Sequence, residues 1–329
     1  MLRRLRPAPW VVVPIVSVLI AAGCGTGPRG PEPEGATRTV EAANGEVEVP
    51  AQPRSIAVLW RPTLSAVTEL GFDPVATLGD PGADDGGLAP FLPEDHRGRP
   101  PRLISDSARE GDIDIEELAN AAPDLIIGVR TQSGAQADLL PRLEEIAPTV
   151  LLEWTGSGSW RDHLTGVAEV LDAGEQAEQV RTDYEAALQE ARAEITDVED
   201  TTVSLIRLQS ESEIRFETSR SFPGQVIADL GFPRPESLQE GTGGTDYVAE
   251  SYENLIRGDG DVVFVFPGSG YADAPGTFDG PLWSQLRAVR EERIFAVDYD
   301  EWGAASHSGA HRIIDDVRAA FNGDLPPAV

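Results

Sequence analysis

Short apolar runs that alternate with helical segments constrain the fold of this chain most strongly. Seven runs have the length and composition of buried strands: 56–59, 74–77, 125–128, 149–152, 203–208, 262–266 and 294–297. Helical patterns lie between or after them, at 63–70, 115–122, 136–146, 224–230, 252–257, 283–289 and 310–321. Strands without polar alternation, separated by helices, are typical of parallel sheets covered on both faces. The pattern predicts an α/β protein with Rossmann-like units.

The longest periodic segment, 175–198, divides these units into two groups. Its apolar residues recur at steps of three or four and form one stripe on a helix: Ala177, Val180, Tyr184, Leu188, Ala191 and Ile195. About 24 residues rising 1.5 Å each give a helix of roughly 36 Å, long enough to connect two lobes. The sequence therefore predicts an N-terminal α/β lobe at 46–173, a single bridging helix at 174–199 and a C-terminal α/β lobe at 200–329.

The charge balance excludes several classes of function. The chain has 56 acidic residues against 26 basic ones, all of them Arg, and a formal net charge of −30. Without Lys it can form neither a P-loop, whose Lys binds phosphates, nor the Schiff base of a pyridoxal enzyme. Its acidity argues against nucleic acid as a partner, because nucleic-acid binding requires a basic surface.

The N-terminus has the features of an export signal. Arg3, Arg4 and Arg6 precede an apolar run at 10–22, and small residues lead to Cys24, which is the single cysteine. This segment resembles a bacterial lipobox, with Ala21 where Leu, Val or Ile is usual. The resemblance implies a signal peptide at 1–23 and a diacylated Cys24 at the membrane surface. The Gly- and Pro-rich stretch that follows predicts a flexible tether, which we extend over 24–45.

Five segments, taken in order and with their spacing, resemble one known family. They are PRSIAVLWRPTLSAVTELGFDPVAT, DIEELANAAPDLIIG, LEEIAPTVLLEW, SFPGQVIADLGFPRP and PLWSQLRAVREERIFAVD. Together they resemble the substrate-binding proteins of ABC importers for ferric siderophores, haem and cobalamin, over roughly residues 47–325. VSLIRL ahead of SFPGQVIADLGF is most similar to the iron–siderophore branch.

The resemblance implies a fold, a ligand and partners. The fold is two α/β lobes with parallel-type sheets, joined by one long helix, with the ligand cleft between the lobes. The protein would be an extracytoplasmic monomer that binds an Fe(III)–siderophore complex and has no cofactor of its own. It would deliver this ligand to a permease with its ATPase subunits. Glu116 in DIEEL and Glu253 in SYENL match the segments that offer a Glu from each lobe to permease arginines.

Candidate ligand-binding residues follow from the position of the strands. Ligands of parallel sheets lie beyond the carboxyl ends of the strands, where aromatic and Arg side chains recur in this sequence. The candidates are Trp60, Arg61, Arg130, Trp154, Arg207, Tyr271 and Trp302. Flat rings offer apolar area, and Arg offers bidentate hydrogen bonds to carboxylate, catecholate or hydroxamate oxygens. A core position for Trp60 and a structural ion pair for Arg207 remain alternative interpretations.

Other functions are weighed against this interpretation. A direct metal-binding protein would need clustered ligands; the histidines are His96, His163, His307 and His311, and only the last two are close in sequence. A lipoprotein hydrolase is a second alternative, although neither G-x-S-x-G nor H-E-x-x-H occurs. Within the same fold, cobalamin, haem or ferric citrate could replace the siderophore, and haem would favour Tyr, His or Met ligands.

Overall fold

The computed structural model describes residues 35–83, 85–105, 107, 109–239, 245–268, 278 and 280–329. Residues Gly35–Val329 form one compact unit. Two five-stranded sheets and a separate two-stranded hairpin, with helices between them, make up the described part of the chain. The two sheet lobes confirm the predicted fold class.

The strands agree with the predicted apolar runs and add several others. They are β1 Thr37–Ala42, β2 Gly45–Pro50, β3 Ile56–Val58, β4 Ala76–Thr77, β5 Arg102–Leu103, β6 Leu125–Arg130, β7 Thr149–Glu153, β8 Val203–Leu208, β9 Glu213–Glu217, β10 Tyr247–Ser251, β11 Val262–Pro267 and β12 Ile294–Ala296. The strands predicted at 56–59, 125–128, 149–152, 203–208 and 262–266 are confirmed. Each is buried along nearly its whole length, which explains why its sequence shows no polar alternation.

The α-helices are α1 Arg61–Glu69, α2 Ile115–Asn120, α3 Ala135–Glu144, α4 Trp160–Leu171, α5 Gly174–Glu194, α6 Phe222–Asp229, α7 Glu236–Gln239, α8 Arg287–Arg290, α9 Tyr299–Trp302 and α10 His307–Asn322. Short 3₁₀ helices lie at Ala89–Phe91, Ser157–Ser159, Val198–Asp200, Tyr252–Gly258 and Trp283–Gln285. In this described part of the chain, no helix is both long and apolar enough to span a bilayer.

The two sheets differ in strand direction. The N-terminal sheet has the order β5-β4-β3-β6-β7, and all of its neighbouring strands are parallel. The C-terminal sheet has the order β10-β9-β8-β11-β12, in which β8, β11 and β12 are parallel. Strands β9 and β10 are antiparallel to their neighbours and extend this sheet on one side. Each lobe therefore contributes the carboxyl ends of several parallel strands, which can line a cleft.

Helix α5 is the predicted long helix. Its 21 residues span about 32 Å, and its stripe of Ala177, Tyr184, Leu188 and Ala191 is buried. The stripe packs on helices α4 and α10. The helix ends four residues earlier than the sequence pattern predicted, because the backbone is extended at Ile195.

Two local predictions are wrong, and several elements were missed. Residues 24–45 were assigned to a flexible tether, whereas 37–42 form β1, which pairs with β2 from Thr37↔Pro50 to Ala42↔Gly45. The helix predicted at 283–289 divides into a 3₁₀ turn and α8, because the backbone at Leu286 is extended. Strands β9 and β10 and helix α4 were not predicted.

The N-terminal hairpin is fastened to the first lobe. The amide of Ala43, in its turn, donates to the carbonyl of Leu151 in β7 (2.8 Å). The side chain of Asn44 donates to the carbonyl of Thr149 (3.0 Å) and accepts from the amide of Leu151 (2.9 Å). Arg38 in β1 also donates to the carbonyl of Glu169 (3.0 Å) in α4. The hairpin is thus part of the folded lobe.

Candidate functional site

A cavity lies where the carboxyl ends of the two sheets face each other. It encloses about 820 Å³, counting the space open to solvent at its mouth. The N-terminal lobe contributes Trp60, Arg61, Pro62, Phe91, Trp154 and Ser157, and the C-terminal lobe contributes Arg207, Glu217, Phe222, Pro223, Phe266, Tyr299, Trp302, Gly303 and Ala305. The volume and the mainly apolar lining, rich in aromatic rings and with a few polar groups, are typical of small-molecule sites.

Two tryptophans form the wall on the side of the N-terminal lobe. Trp60 follows β3 and Trp154 follows β7, and their rings meet edge to face with centroids 5.8 Å apart. The ring of Trp154 also contacts His163 edge to face at 5.1 Å. His163 is buried, and the burial lowers its pKa to about 4, so the imidazole is neutral. Its Nε2 lies 2.9 Å from the hydroxyl of Thr63, which fixes the ring behind Trp154.

Arg207 is the main polar group on the opposite wall. It lies near the end of β8, and its guanidinium carbon is 5.4 Å from the Tyr247 ring centroid and 5.8 Å from that of Tyr299. These distances permit cation–π attraction to both rings. Its Nε is 3.5 Å from the carboxylate Oε1 of Glu217, and neither atom has a hydrogen-bond partner among the described residues. Arg207 is therefore held between rings and a carboxylate, with 15% of its side chain exposed.

Glu217 is a buried carboxylate in the cavity wall. It ends β9, and only 6% of its side chain is exposed. Burial raises the pKa of Glu217, and attraction from Arg207 and Arg234 opposes the rise. Arg234 lies beneath it, fully enclosed, and donates to its backbone carbonyl. Burial lowers the pKa of Arg234 to about 10, and attraction from Glu217 opposes that change.

Arg61 and Trp302 complete the set that the sequence predicted in this region. Arg61 begins α1, and its guanidinium carbon is 4.6 Å from the Phe91 ring centroid. Trp302 lines the cavity but is fully buried, and its Nε1 donates to Asp316 at 2.8 Å. Trp302 thus supports the cavity wall from the core, stacked against Phe264 at 4.9 Å between ring centroids.

The structure brings together Trp60, Arg61, Trp154, Arg207 and Trp302. It does not bring Arg130 to the cavity. Arg130 ends β6, is exposed, and forms an ion pair with Glu153 of β7 at 2.7 Å. The cavity role assigned to Arg130 on strand position alone is therefore not supported by its geometry. Tyr271 lies outside the described residues, as does Cys24.

The two candidate docking glutamates are exposed on short helices. Glu116 lies in the first turn of α2, whose N-cap Asp114 accepts from the amides of Glu116 and Glu117. Glu253 lies in the first turn of the 3₁₀ helix Tyr252–Gly258. Both positions favour a carboxylate through the helix dipole as well.

The histidines do not gather into a metal site. Among the residues that the structure describes, no group of three His, Cys, Asp or Glu side chains could hold a metal ion. His307 and His311 both lie on α10, and His307 is buried with its ring 4.6 Å from that of Trp160. Burial lowers the pKa of His307 to about 3, so it is a neutral core residue.

Several polar contacts behind the cavity join the two lobes. Asp246 accepts from the amide and hydroxyl of Ser157, both at 2.9 Å. Gln225 accepts from the indole of Trp160 (3.0 Å). On α1, Glu69 accepts from the amide (2.7 Å) and hydroxyl (2.5 Å) of Ser308 in α10. These contacts fix the lobes around the cavity in the described arrangement.

Sequence reasoning missed several lining residues, in particular Phe91, Glu217 and Tyr299. Tyr299 follows β12 and obeys the rule that located Trp60 and Trp154, so it could have been found. Glu217 required the recognition of β9, whose Ile214 and Phe216 alternate with charged residues as in a strand with one buried face. Phe91 lies on a 3₁₀ turn within the long connection from β4 to β5, and no local pattern indicates where that connection returns.

The fold and the cavity define a two-lobed binding protein, and comparisons with known proteins agree. The model of the periplasmic binding protein family matches residues 96–301. The chain therefore belongs to this family of binding proteins.

Individual relatives extend the match over nearly the whole chain. The "Probable siderophore-binding lipoprotein YfiY" of Bacillus subtilis is 28% identical over 93% of this chain and 95% of its own length. The solved siderophore periplasmic binding protein from the fuscachelin gene cluster of Thermobifida fusca is 25% identical, with a TM-score of 0.64, covering 84% of this chain and 98% of its own. SirA of Staphylococcus aureus, solved with staphyloferrin B, is 20% identical with a TM-score of 0.70, over 87% of this chain and 99% of its own, and shows the shared fold.

Proposed function

We propose that this protein is the extracytoplasmic substrate-binding component of an ABC importer and that it binds a ferric siderophore between its lobes. The observation that carries the proposal is the cavity, in which Trp60, Trp154 and Arg207 meet at the carboxyl ends of both sheets. Rings and guanidinium suit a large, partly apolar complex with oxygen ligands around iron. Relatives that are named for siderophore binding support the same conclusion.

Binding is tested by tryptophan fluorescence. Because Trp60 and Trp154 line the cavity, a ferric siderophore seated there should quench the emission saturably at micromolar concentration or below. Haem, cobalamin and ferric citrate serve as comparators. Quenching by one of these alone would retain the binding fold and replace the ligand. A folded protein that responds to none of them would refute the proposal.

Matched variants locate the site. Trp60→Ala should weaken binding about tenfold or more, since aromatic residues at the centre of a binding site often contribute over 1 kcal/mol. Arg207→Gln should weaken it further by removing a charged hydrogen-bond donor. Arg130→Gln is the control, because Arg130 faces Glu153 and not the cavity, and should leave the affinity unchanged.

The exposed Glu116 and Glu253 are proposed to dock on arginines of the permease. Their exposure in different lobes supports this role. Glu116→Arg and Glu253→Arg should each reduce ligand uptake by cells while the affinity of the purified protein stays unchanged. Uptake at the wild-type rate in the double variant would contradict the docking role.

Membrane attachment is proposed to depend on lipid at Cys24. The segment before Cys24 and the lipoprotein name of one relative support this proposal. Mass spectrometry of the protein from a bacterial membrane should find a diacylglyceryl mass on Cys24, and Cys24→Ser should release the protein into the medium or periplasm. Attachment that persists in Cys24→Ser would contradict it.

We also propose that the protein is a binder and not a hydrolase. Membership of a family of binding proteins supports this. A hydrolase would turn over model esters, whereas a binding protein would saturate with its ligand and leave it unchanged. Catalytic turnover by the purified chain, lost in a cavity variant, would overturn this part of the proposal.

A further inference from the structure

Arg207 and Arg215 face each other across the antiparallel strands β8 and β9. The two residues are register partners, so their side chains lie on the same face of the sheet, with Cβ atoms about 4.5–5.5 Å apart. Both guanidiniums keep their charge, because arginine does not lose its proton in proteins. Like charges at opposed positions destabilise a sheet, so neighbouring groups are needed to offset the repulsion.

The ring of Tyr247 lies next to both guanidiniums. Tyr247 is in β10, two residues from Ala249, which is the register partner of Arg215. Side chains alternate along a strand, so Tyr247 lies on the same face of the sheet as the two arginines. The guanidinium carbons of Arg215 and Arg207 are 4.2 Å and 5.4 Å from its ring centroid. Both distances permit cation–π attraction, so one ring can stabilise two cations.

The two arginines differ in what else holds them. The Nε of Arg215 donates to the carboxylate of Glu213 at 2.8 Å, which fixes that guanidinium. The Nε of Arg207 has no hydrogen-bond partner among the described residues, and Oε1 of Glu217 is 3.5 Å away. Burial raises the pKa of Glu217, so the attraction from this carboxylate varies with its protonation. A ring attracts the cation at every pH, and the direction of Arg207 therefore depends on its aromatic neighbours.

Of the two aromatic neighbours of Arg207, one lines the cavity and one does not. The ring centroid of Tyr299, a residue of the cavity wall, is 5.8 Å from the guanidinium carbon. Tyr247 is 37% exposed and is not among the described residues that line the cavity. A ligand in the cavity would meet Arg207 and Tyr299 directly, whereas Tyr247 would act on it through Arg207.

Given the proposed function, on which this step rests, we propose that Tyr247 is a positioning residue: its ring holds the guanidinium of Arg207 at the cavity wall and offsets the repulsion from Arg215. A side chain already held in its binding geometry loses less conformational entropy when the ligand arrives. Without the ring, the ligand itself would have to order Arg207 against the repulsion from Arg215. Tyr247 thus contributes to the affinity without contacting the ligand.

The test is titration of the purified chain followed by tryptophan fluorescence. Ferric enterobactin, ferric staphyloferrin B and the ferric complex of Desferal are the probes, and the one that binds the wild type most tightly is used for the variants. Tyr247→Leu should weaken its binding about two- to tenfold, the cost of ordering one long side chain. Tyr247→Phe keeps the ring and should change the affinity less than about twofold. Glu185→Gln, an exposed change on α5, is the control and should have no effect.

A double-mutant cycle separates positioning from direct contact. In the Arg207→Gln background, Tyr247→Leu should change the affinity less than about twofold, because no guanidinium remains for the ring to hold. An equal loss in both backgrounds would show that Tyr247 contacts the ligand, and would overturn the positioning role. Wild-type affinity in Tyr247→Leu would overturn it too, as would a loss in Tyr247→Phe as large as that in Tyr247→Leu.

The free protein offers a second measurement that needs no ligand. The NMR signal of the Arg207 Nε–H group, assigned by its absence from Arg207→Gln, should move in Tyr247→Leu and stay in place in Tyr247→Phe. An unmoved signal in Tyr247→Leu overturns the proposal. If Tyr247→Leu does not fold, Tyr247→Val replaces it, since a branched side chain suits a strand. A folded wild type that binds none of the three probes overturns the proposed function, and the ligand role of Tyr247 with it, even where the NMR signal moves.

Discussion

Neutralising Glu69 should stabilise the protein at neutral pH. This carboxylate joins the lobes through Ser308, and only 6% of its side chain is exposed. Burial raises its pKa from 4.5 to about 6, although the hydrogen bonds from Ser308 oppose the rise. Its second oxygen, Oε2, has no hydrogen-bond partner and lies 4.0 Å from Nδ1 of the neutral His307. The ionised form is thus paired on one oxygen only.

The magnitude follows from the pKa change. A folded-state pKa above the unfolded value means that the folded protein holds the proton more tightly. The resulting stability is fully present below pH 4.5 and is lost as the pH rises through 6. A change of about 1.5 pKa units corresponds to about 2 kcal/mol at 1.36 kcal/mol per unit. Glu69→Gln is isosteric, keeps an acceptor for Ser308, places a donor toward His307 and carries no charge.

We therefore expect Glu69→Gln to match wild-type stability near pH 4.5 and to exceed it by up to about 2 kcal/mol at pH 7.5. For a chain of this size the gain is about 3 °C in Tm. The assay is thermal unfolding followed by tryptophan fluorescence from pH 4.5 to 8, with Glu185→Gln as the control. Taking the difference between variants cancels the titration of all other groups. A difference that is independent of pH, or a Glu69→Gln protein that is less stable at pH 7.5, would refute the reasoning.

Three further predictions concern single positions. Gly224→Ala should destabilise the protein by about 2 kcal/mol or more in urea unfolding, because the added Cβ clashes with the carbonyl of Thr218. Trp160→Ala should cost about 3–5 kcal/mol in the same assay, since the ring is 1% exposed and packed between the lobes. When the pH falls from 7 to 5, the wild type should lose about 2 kcal/mol of stability that the His163→Gln variant keeps. The lowered pKa of His163 means that its stabilisation is present above pH 6.5 and is lost as the pH falls toward 4.

Each of these predictions has a control. Gly174 is the first residue of α5, and a Cβ added there would meet no atom within 4 Å. Gly174→Ala should therefore stabilise the protein slightly or leave its stability unchanged. If it destabilises as much as Gly224→Ala, the steric argument fails. A Trp160→Ala protein of wild-type stability would show that the lobes do not depend on this contact. Equal acid sensitivity of wild type and His163→Gln would show that His163 is protonated in the folded protein.

The order of the elements was predictable because the central strands are buried on both faces. Runs such as 262–266 contain no polar residue, and burial of every position in β11 up to Pro267 is the reason. β9 has one covered face, so charged Glu213 and Arg215 interrupt its apolar residues and conceal it. The hairpin was missed for the same reason, since Arg38 and Glu41 interrupt β1 and Glu46 and Glu48 alternate with valines in β2.

The candidate site was predictable only where strand ends determine it. Trp60, Trp154 and Arg207 follow or end parallel strands, and the topology brings such residues to one cleft. The same rule selected Arg130, yet β6 neighbours β7, and the carboxylate of Glu153 is close enough to hold the guanidinium there. Whether a side chain at a strand end enters the cleft depends on the partners that it finds on neighbouring strands. The spacing of residues along the sequence does not show these partners.

The hairpin at the start of the fold has a consequence for association between molecules. β7 is an outer strand of its sheet, and a free outer strand offers unpaired amides and carbonyls to another chain. The turn at Ala43 and Asn44 occupies the backbone groups of Leu151 and Thr149 with its own amide and a side-chain amide. The hairpin turn thus covers part of the outer edge of β7. This cover disfavours edge-to-edge strand pairing, and therefore aggregation, between two copies of the protein.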